Sequence, residues 1–84
     1  MDEFEFSNHA LKQMAERNLS EEIVLSTIQN TSQEYEDEDG QRVYQQIFNL
    51  SNKEYLVRVF VNAKRNPPFI KTVYRTSKIK KYLL

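Results

Sequence analysis

Apolar positions recur at helical spacing through the first thirty residues and then switch to alternation. Leu11, Met14 and Ala15 fall on one face of a helix. Ser7 or Asn8 is placed to cap it, because a short polar side chain accepts a bond from an N–H that a helix start leaves free. Asn18 tolerates the left-handed backbone that commonly ends a helix. Ser20 is a second cap, and Glu21 and Glu22 sit favourably against the dipole of the helix that follows. Ile23, Val24, Thr27 and Ile28 continue the helical spacing. The pattern predicts an αα-hairpin over 8–17 and 21–30.

Beyond Asn30 the period is two. Residues 34–38 read as an edge strand whose acids alternate between faces and whose charge discourages pairing with another edge. Asp39-Gly40 marks a hairpin turn. Strands are predicted over 42–50, 55–61 and 69–75, with a turn at 51–53 and a proline-stiffened loop over 62–68. In 55–61, Tyr55, Val57, Val59 and Val61 share one face while Leu56, Arg58 and Phe60 share the other. Apolar groups on both faces predict a central strand. Residues 76–84 form a basic tail, read as a short helix or a strand extension. The expectation is one α+β domain spanning 1–84, with two N-terminal helices packed on one face of a four-stranded antiparallel sheet.

Composition narrows the class. At 84 residues, 39% hydrophobic and 29% charged, the chain has one core's worth of material and is not disordered in composition. No apolar run reaches the roughly 18 to 20 residues of a membrane helix. The first six residues are acidic and lack the basic start and apolar middle of a signal peptide. Cysteine is absent, so disulfides and thiolate metal sites are excluded, and the cytoplasm is the expected compartment. The formal net charge of zero conceals an asymmetry: residues 1–40 hold eleven acids and two bases, residues 41–84 one acid and ten bases, so the halves carry −9 and +9.

Candidate chemistry follows from the same positions. His9, the only histidine, is the natural proton donor or acceptor near neutral pH. It shares a helical stripe with Gln13 and Arg17, although a lone histidine near a helix start is also an ordinary exposed or capping residue. The segment 71–82 holds five bases, two tyrosines and three hydroxyl residues without one acid. Bases contact phosphates and aromatics stack on unpaired nucleobases, whereas a solvated basic tail pairing with the acidic half is the plainer reading. The acidic run fails as a calcium loop: with Gly40 as the invariant glycine, Tyr35 takes the first ligand position and Gln46 the last. A Walker loop is excluded by the single glycine, and a helix-turn-helix by the absence of Lys and Arg from the second helix.

The run Phe6-Ser7-Asn8-His9-Ala10-Leu11-Lys12-Gln13-Met14-Ala15-Glu16-Arg17-Asn18-Leu19-Ser20 resembles the signature F-[ST]-x-H-A-x-x-R-M-x-x-R-x-[IL]-[ST] of a family of small uncharacterised bacterial domains. Val73-Tyr74-Arg75-Thr76-Ser77-Lys78-Ile79-Lys80-Lys81-Tyr82 resembles that family's closing motif, T-V-Y-R-T-S-K-x-x-K-Y. The family is similar to toxins of the RelE/ParE type in the barnase–EndoU–colicin–RelE superfamily. The resemblance implies two helices on a four-stranded antiparallel sheet, and RNA cleavage without metal or cofactor. In that reaction the ribose 2′-OH attacks its own phosphate, leaving a 2′,3′-cyclic phosphate and a 5′-OH. It also implies an antitoxin partner and, for the substrate, RNA on the ribosome.

In that chemistry His9 serves one proton transfer, and Tyr74, Lys78 or a water the other. Arg75 and Arg17, with Arg58, hold the phosphate. Arg58, Lys71, Lys80, Lys81 and Tyr82 supply RNA contacts. Loss of a proton-transfer group typically costs about 10²–10⁴-fold, the expected effect of His9→Ala on cleavage. One departure matters: Gln13 stands where the family has its first helical arginine, which removes a cation from the stripe. Two other functions compete with the enzyme. One is a non-catalytic RNA- or protein-binding module. The other is an interaction protein whose acidic half pairs with the basic halves of neighbours.

Overall fold

Ser7 caps the first helix as its position requires. Its Oγ accepts the Ala10 N–H at 2.9 Å, and its hydroxyl donates to the Lys71 carbonyl at 2.8 Å. The structure, a computed structural model, describes residues 4–83; of the expected domain 1–84, residues 1–3 and 84 lie outside the described residues. Helix α1 spans Asn8–Glu16 and ends where Asn18 takes φ 53°. Ser20 caps α2 (Glu21–Gln29), its Oγ accepting the Ile23 N–H at 3.1 Å. Both helices are nine residues long, too short to be stable without packing.

Five strands build the sheet: β1 (Glu5–Phe6), β2 (Gln33–Glu36), β3 (Arg42–Leu50), β4 (Lys53–Asn62) and β5 (Phe69–Thr76). A short helix, α3 (Ile79–Tyr82), follows. The β2–β3 turn is organised by Asp37, whose Oδ1 accepts the N–H groups of Asp39 (3.0 Å) and Gln41 (2.9 Å) while Gly40 takes φ 79°. Between β3 and β4, Ser51 and Asn52 both have positive φ (55° and 67°). That is the two-residue turn whose twist matches antiparallel strands.

The strand order is β1-β5-β4-β3-β2, with β4 at the centre. The expected four-stranded antiparallel sheet with two N-terminal helices is therefore corrected to a five-stranded mixed sheet with three short helices. The added strand, β1, runs parallel to β5 with Glu5 opposite Phe69 and Phe6 opposite Ile70. Two residues are too few to display a period, and their partner lies at the other end of the chain. β5 also skips a residue, because Phe60 pairs with Thr72 and Val61 with Ile70, leaving Lys71 bulged.

The register assigns every strand residue to a face, since opposed residues point the same way. Val57, Val59, Val61, Ile70 and Val73 join Ala10, Met14, Leu19 and Val24 of the helical region in one buried cluster. On the opposite face Val43, Gln45, Leu56 and Arg58 are buried, and Tyr35, Phe60 and Tyr74 stand beside them. β2 resolves the acidic run differently from expectation: Glu34 and Glu36 share the helix-bearing face, and Tyr35 turns to the other with Gln33. Glu34 pairs there with Arg42.

Candidate nucleic-acid interface

The face without α1 and α2 centres on Arg58, which is 7% exposed. Its guanidinium donates from Nε to Gln45 Oε1, from Nη1 to the Tyr74 hydroxyl and from Nη2 to the Tyr35 hydroxyl. Three rings surround its Cζ, with centroids at 4.5 Å (Tyr82), 5.2 Å (Phe60) and 5.5 Å (Tyr74). Among the described residues no carboxylate pairs with it. A buried unpaired ion costs several kcal/mol even after relaxation. Ring faces each return about 0.5 to 2 kcal/mol, and the three hydrogen bonds add to this. The positive charge is thus accommodated without being neutralised.

Gln45, fully buried, locks the arrangement. Its Nε2 donates to Gln33 Oε1 at 3.0 Å and to the Tyr82 carbonyl at 3.2 Å, which ties α3 to the sheet. Tyr35, Tyr74 and Tyr82 remain partly exposed. Because the Tyr35 and Tyr74 oxygens accept from Arg58, their own hydrogens are directed elsewhere. Tyr74 is held above the ordinary tyrosine range, chiefly by burial, with Arg58 opposing the shift. It therefore keeps its proton at neutral pH, as a hydrogen-bond donor and a weak acid. Hydroxyl hydrogens backed by a buried cation suit an oxyanion such as a phosphodiester, and the half-exposed rings suit stacking.

The residues singled out from the sequence are divided by the sheet. Arg58, Tyr74 and Tyr82 meet here, with Lys80 and Lys81 exposed on α3 and Lys78 exposed just before it. Arg75 has the opposite parity to Tyr74 and stacks on Tyr55, 4.4 Å from the ring centroid. His9 is exposed on α1, and Arg17, half-buried, closes that helix through its N–H to the Gln13 carbonyl. Both belong to the helix packed against the other face. Lys71, the bulged residue, is exposed and borders a 230 Å³ pocket with Lys64 and Asn62. The five expected catalytic residues do not form one cluster.

Tyr35, Gln45 and Phe60 were absent from the expected site. Tyr35 had a signal, as the one aromatic in an acidic run four residues before the Asp39-Gly40 turn. Gln45 had none. Gln13 proves structural: its Oε1 accepts the Val73 N–H at 2.9 Å, sealing the β5 edge where β1 ends. Gln13→Ala is expected to lower stability by about 1 kcal/mol in urea unfolding, the usual net value of one such bond.

Among the described residues, no group of three His, Cys, Asp or Glu is placed to hold a metal ion, and no helix is long and apolar enough to cross a membrane. The fold and site thus define a small α+β domain with an aromatic, cationic sheet face. A family model described as "Domain of unknown function (DUF4258)" matches residues 6–75, and the chain belongs to that family. No curated protein and no solved structure matches the chain.

Proposed function

We propose that this domain binds single-stranded RNA on the Arg58 face, with a backbone phosphate received by the Tyr35 and Tyr74 hydroxyls in front of the guanidinium. The supporting observation is a buried arginine with no carboxylate partner among the described residues, enclosed by tyrosines. Lys78, Lys80 and Lys81 add phosphate contacts at the rim, and Tyr82 and Phe60 offer ring faces. No acid lies at Gln33, Tyr35, Val43, Gln45, Leu56, Arg58, Phe60, Thr72, Tyr74 or Thr76, so repulsion at the centre of this face is low. The cytoplasm is the compartment that goes with this reading.

Titration of a labelled single-stranded RNA at several salt concentrations tests it. Affinity is expected to fall with salt at a slope of about −0.7 per phosphate contact. Removing Lys80 and Lys81 should flatten that slope, whereas absent or salt-independent binding would reject the reading.

The toxin-like endoribonuclease is a second reading, favoured by one observation: the Tyr74 hydroxyl contacts a cation, and 2′-OH attack needs a cation on the phosphate. The antitoxin and the ribosome belong to this reading. Incubation of the protein with RNA without metal, followed by analysis of the ends, separates the two. Cyclic phosphate ends lost in Tyr74→Phe but retained in His9→Ala would place the chemistry on the Arg58 face. Loss in His9→Ala instead would return it to α1.

A further inference from the structure

Two depressions on the helix-bearing side meet at Gln29. One, of 740 Å³, is lined by apolar groups that include Phe4, Ile28, Val61 and Pro67, with Glu34 at its margin. The other, of 540 Å³, follows the outer flank of α2 past Glu21, Glu22 and Leu25. No Lys or Arg lines either. Glu34 is already paired with Arg42, so Glu21 and Glu22 carry the free negative charge. The chain itself contains the complementary chemistry. Its C-terminal segment places exposed Lys78, Lys80 and Lys81 around half-exposed Ile79 and Leu83, with no acid after Glu54.

One molecule cannot join these two surfaces. α3 is fixed to the Arg58 face by Tyr82, whose carbonyl is held by Gln45 and whose ring lies 4.5 Å from the guanidinium. α2 packs on the opposite face through Val24, and the sheet stands between them. We propose that the basic, apolar C-terminal segment of one copy docks along the acidic, apolar α2 groove of a second copy. The contact is heterologous, so it propagates head to tail, into open chains or, where the rotation closes, into rings. It also consumes lysines assigned above to RNA, so RNA competes with assembly, but the contact itself does not require RNA binding to be correct.

Sedimentation of the purified full chain without RNA tests the proposal. At low salt the weight-average mass is expected to rise with concentration from 10.1 kDa to at least about twice that value. It should return to the monomer near 1 M salt, where the Debye length falls to about 3 Å. Glu21→Lys with Glu22→Lys, and separately Lys80→Glu with Lys81→Glu, should each abolish the rise. These four positions are exposed, and circular dichroism checks that both variants fold. Mixing the two variants should restore the rise, because each then offers the other a complementary surface. A constant monomer mass at low salt, as would follow if some other protein occupies the groove, overturns the proposal. So does a rise that either double variant leaves intact, or one that mixing fails to restore.

Discussion

Arg58→Met is expected to weaken RNA binding more than about tenfold, or 1.4 kcal/mol, while the chain stays folded. The charge behind the tyrosine hydroxyls disappears, but methionine fills much of the space and makes favourable ring contacts. Stability should fall by only about 1 to 3 kcal/mol, the cost of leaving Gln45 Oε1 without a donor in a fully buried position. The Tyr35 and Tyr74 oxygens lose the same donor, but they are partly exposed and water replaces it. Adding Gln45→Leu should recover none of the binding and should lower stability further, because it removes the unpaired Oε1 but also the Nε2 bonds to Gln33 Oε1 and the Tyr82 carbonyl. Arg58→Lys should fall between, because an ammonium keeps the charge but cannot address Gln45, Tyr74 and Tyr35 together. Fluorescence anisotropy and urea unfolding on the same four proteins give both axes. Wild-type affinity in Arg58→Met would reduce Arg58 to a device for seating α3.

Local signals carried most of the elements. The Ser7 and Ser20 caps, the break at Asn18, the Asp39-Gly40 turn and the alternation over Tyr55 to Val61 each lie within a few residues of what they specify, and each element formed where those signals lie. The sheet's composition was not local. β1 exists because Ile70, sixty-four residues from Phe6, offers a backbone to pair with, and nothing in Glu5-Phe6 announces that partner. The candidate site was partly legible for the same reason. Tyr74, Lys80, Lys81 and Tyr82 stood out as a basic, aromatic run, and Arg58 as a cation in a central strand. Their meeting with Tyr35 and Gln45 depends on the β2–β3–β4 register, which the sequence alone leaves open. Adjacent Tyr74 and Arg75, read together as a motif, are sent to opposite faces by the strand's period of two.

The charge asymmetry gains a geometry from this register. The acids of β2 turn to the helix side and its tyrosine to the Arg58 side, so an acidic strand borders a cationic face without opposing it. A chain of zero net charge thus keeps the acids of β2 off the Arg58 face, while Arg42 and Arg75 share the helix side with them.

Ile70→Ala is expected to cost about 2 to 5 kcal/mol, the range for truncating a large buried aliphatic. Ile70 is completely buried in the cluster beneath α1 and α2. Like Phe69 beside it, it is paired on both sides, with Val61 of β4 and with Phe6 of β1. Its carbonyl accepts the Ser7 N–H at 2.9 Å, so the same residue anchors the backbone that enters α1. An 84-residue domain has about 4 to 13 kcal/mol in total. The substitution should lower the melting temperature by roughly 8 to 40 °C, at about 4 to 8 °C per kcal/mol for a domain this small. Phe6→Ala, at a half-buried position on the two-residue strand, should cost clearly less. Equal losses would mean that β1, and not the valine-lined centre of the sheet, holds the N-terminal helix in place; thermal unfolding of the two variants decides between these.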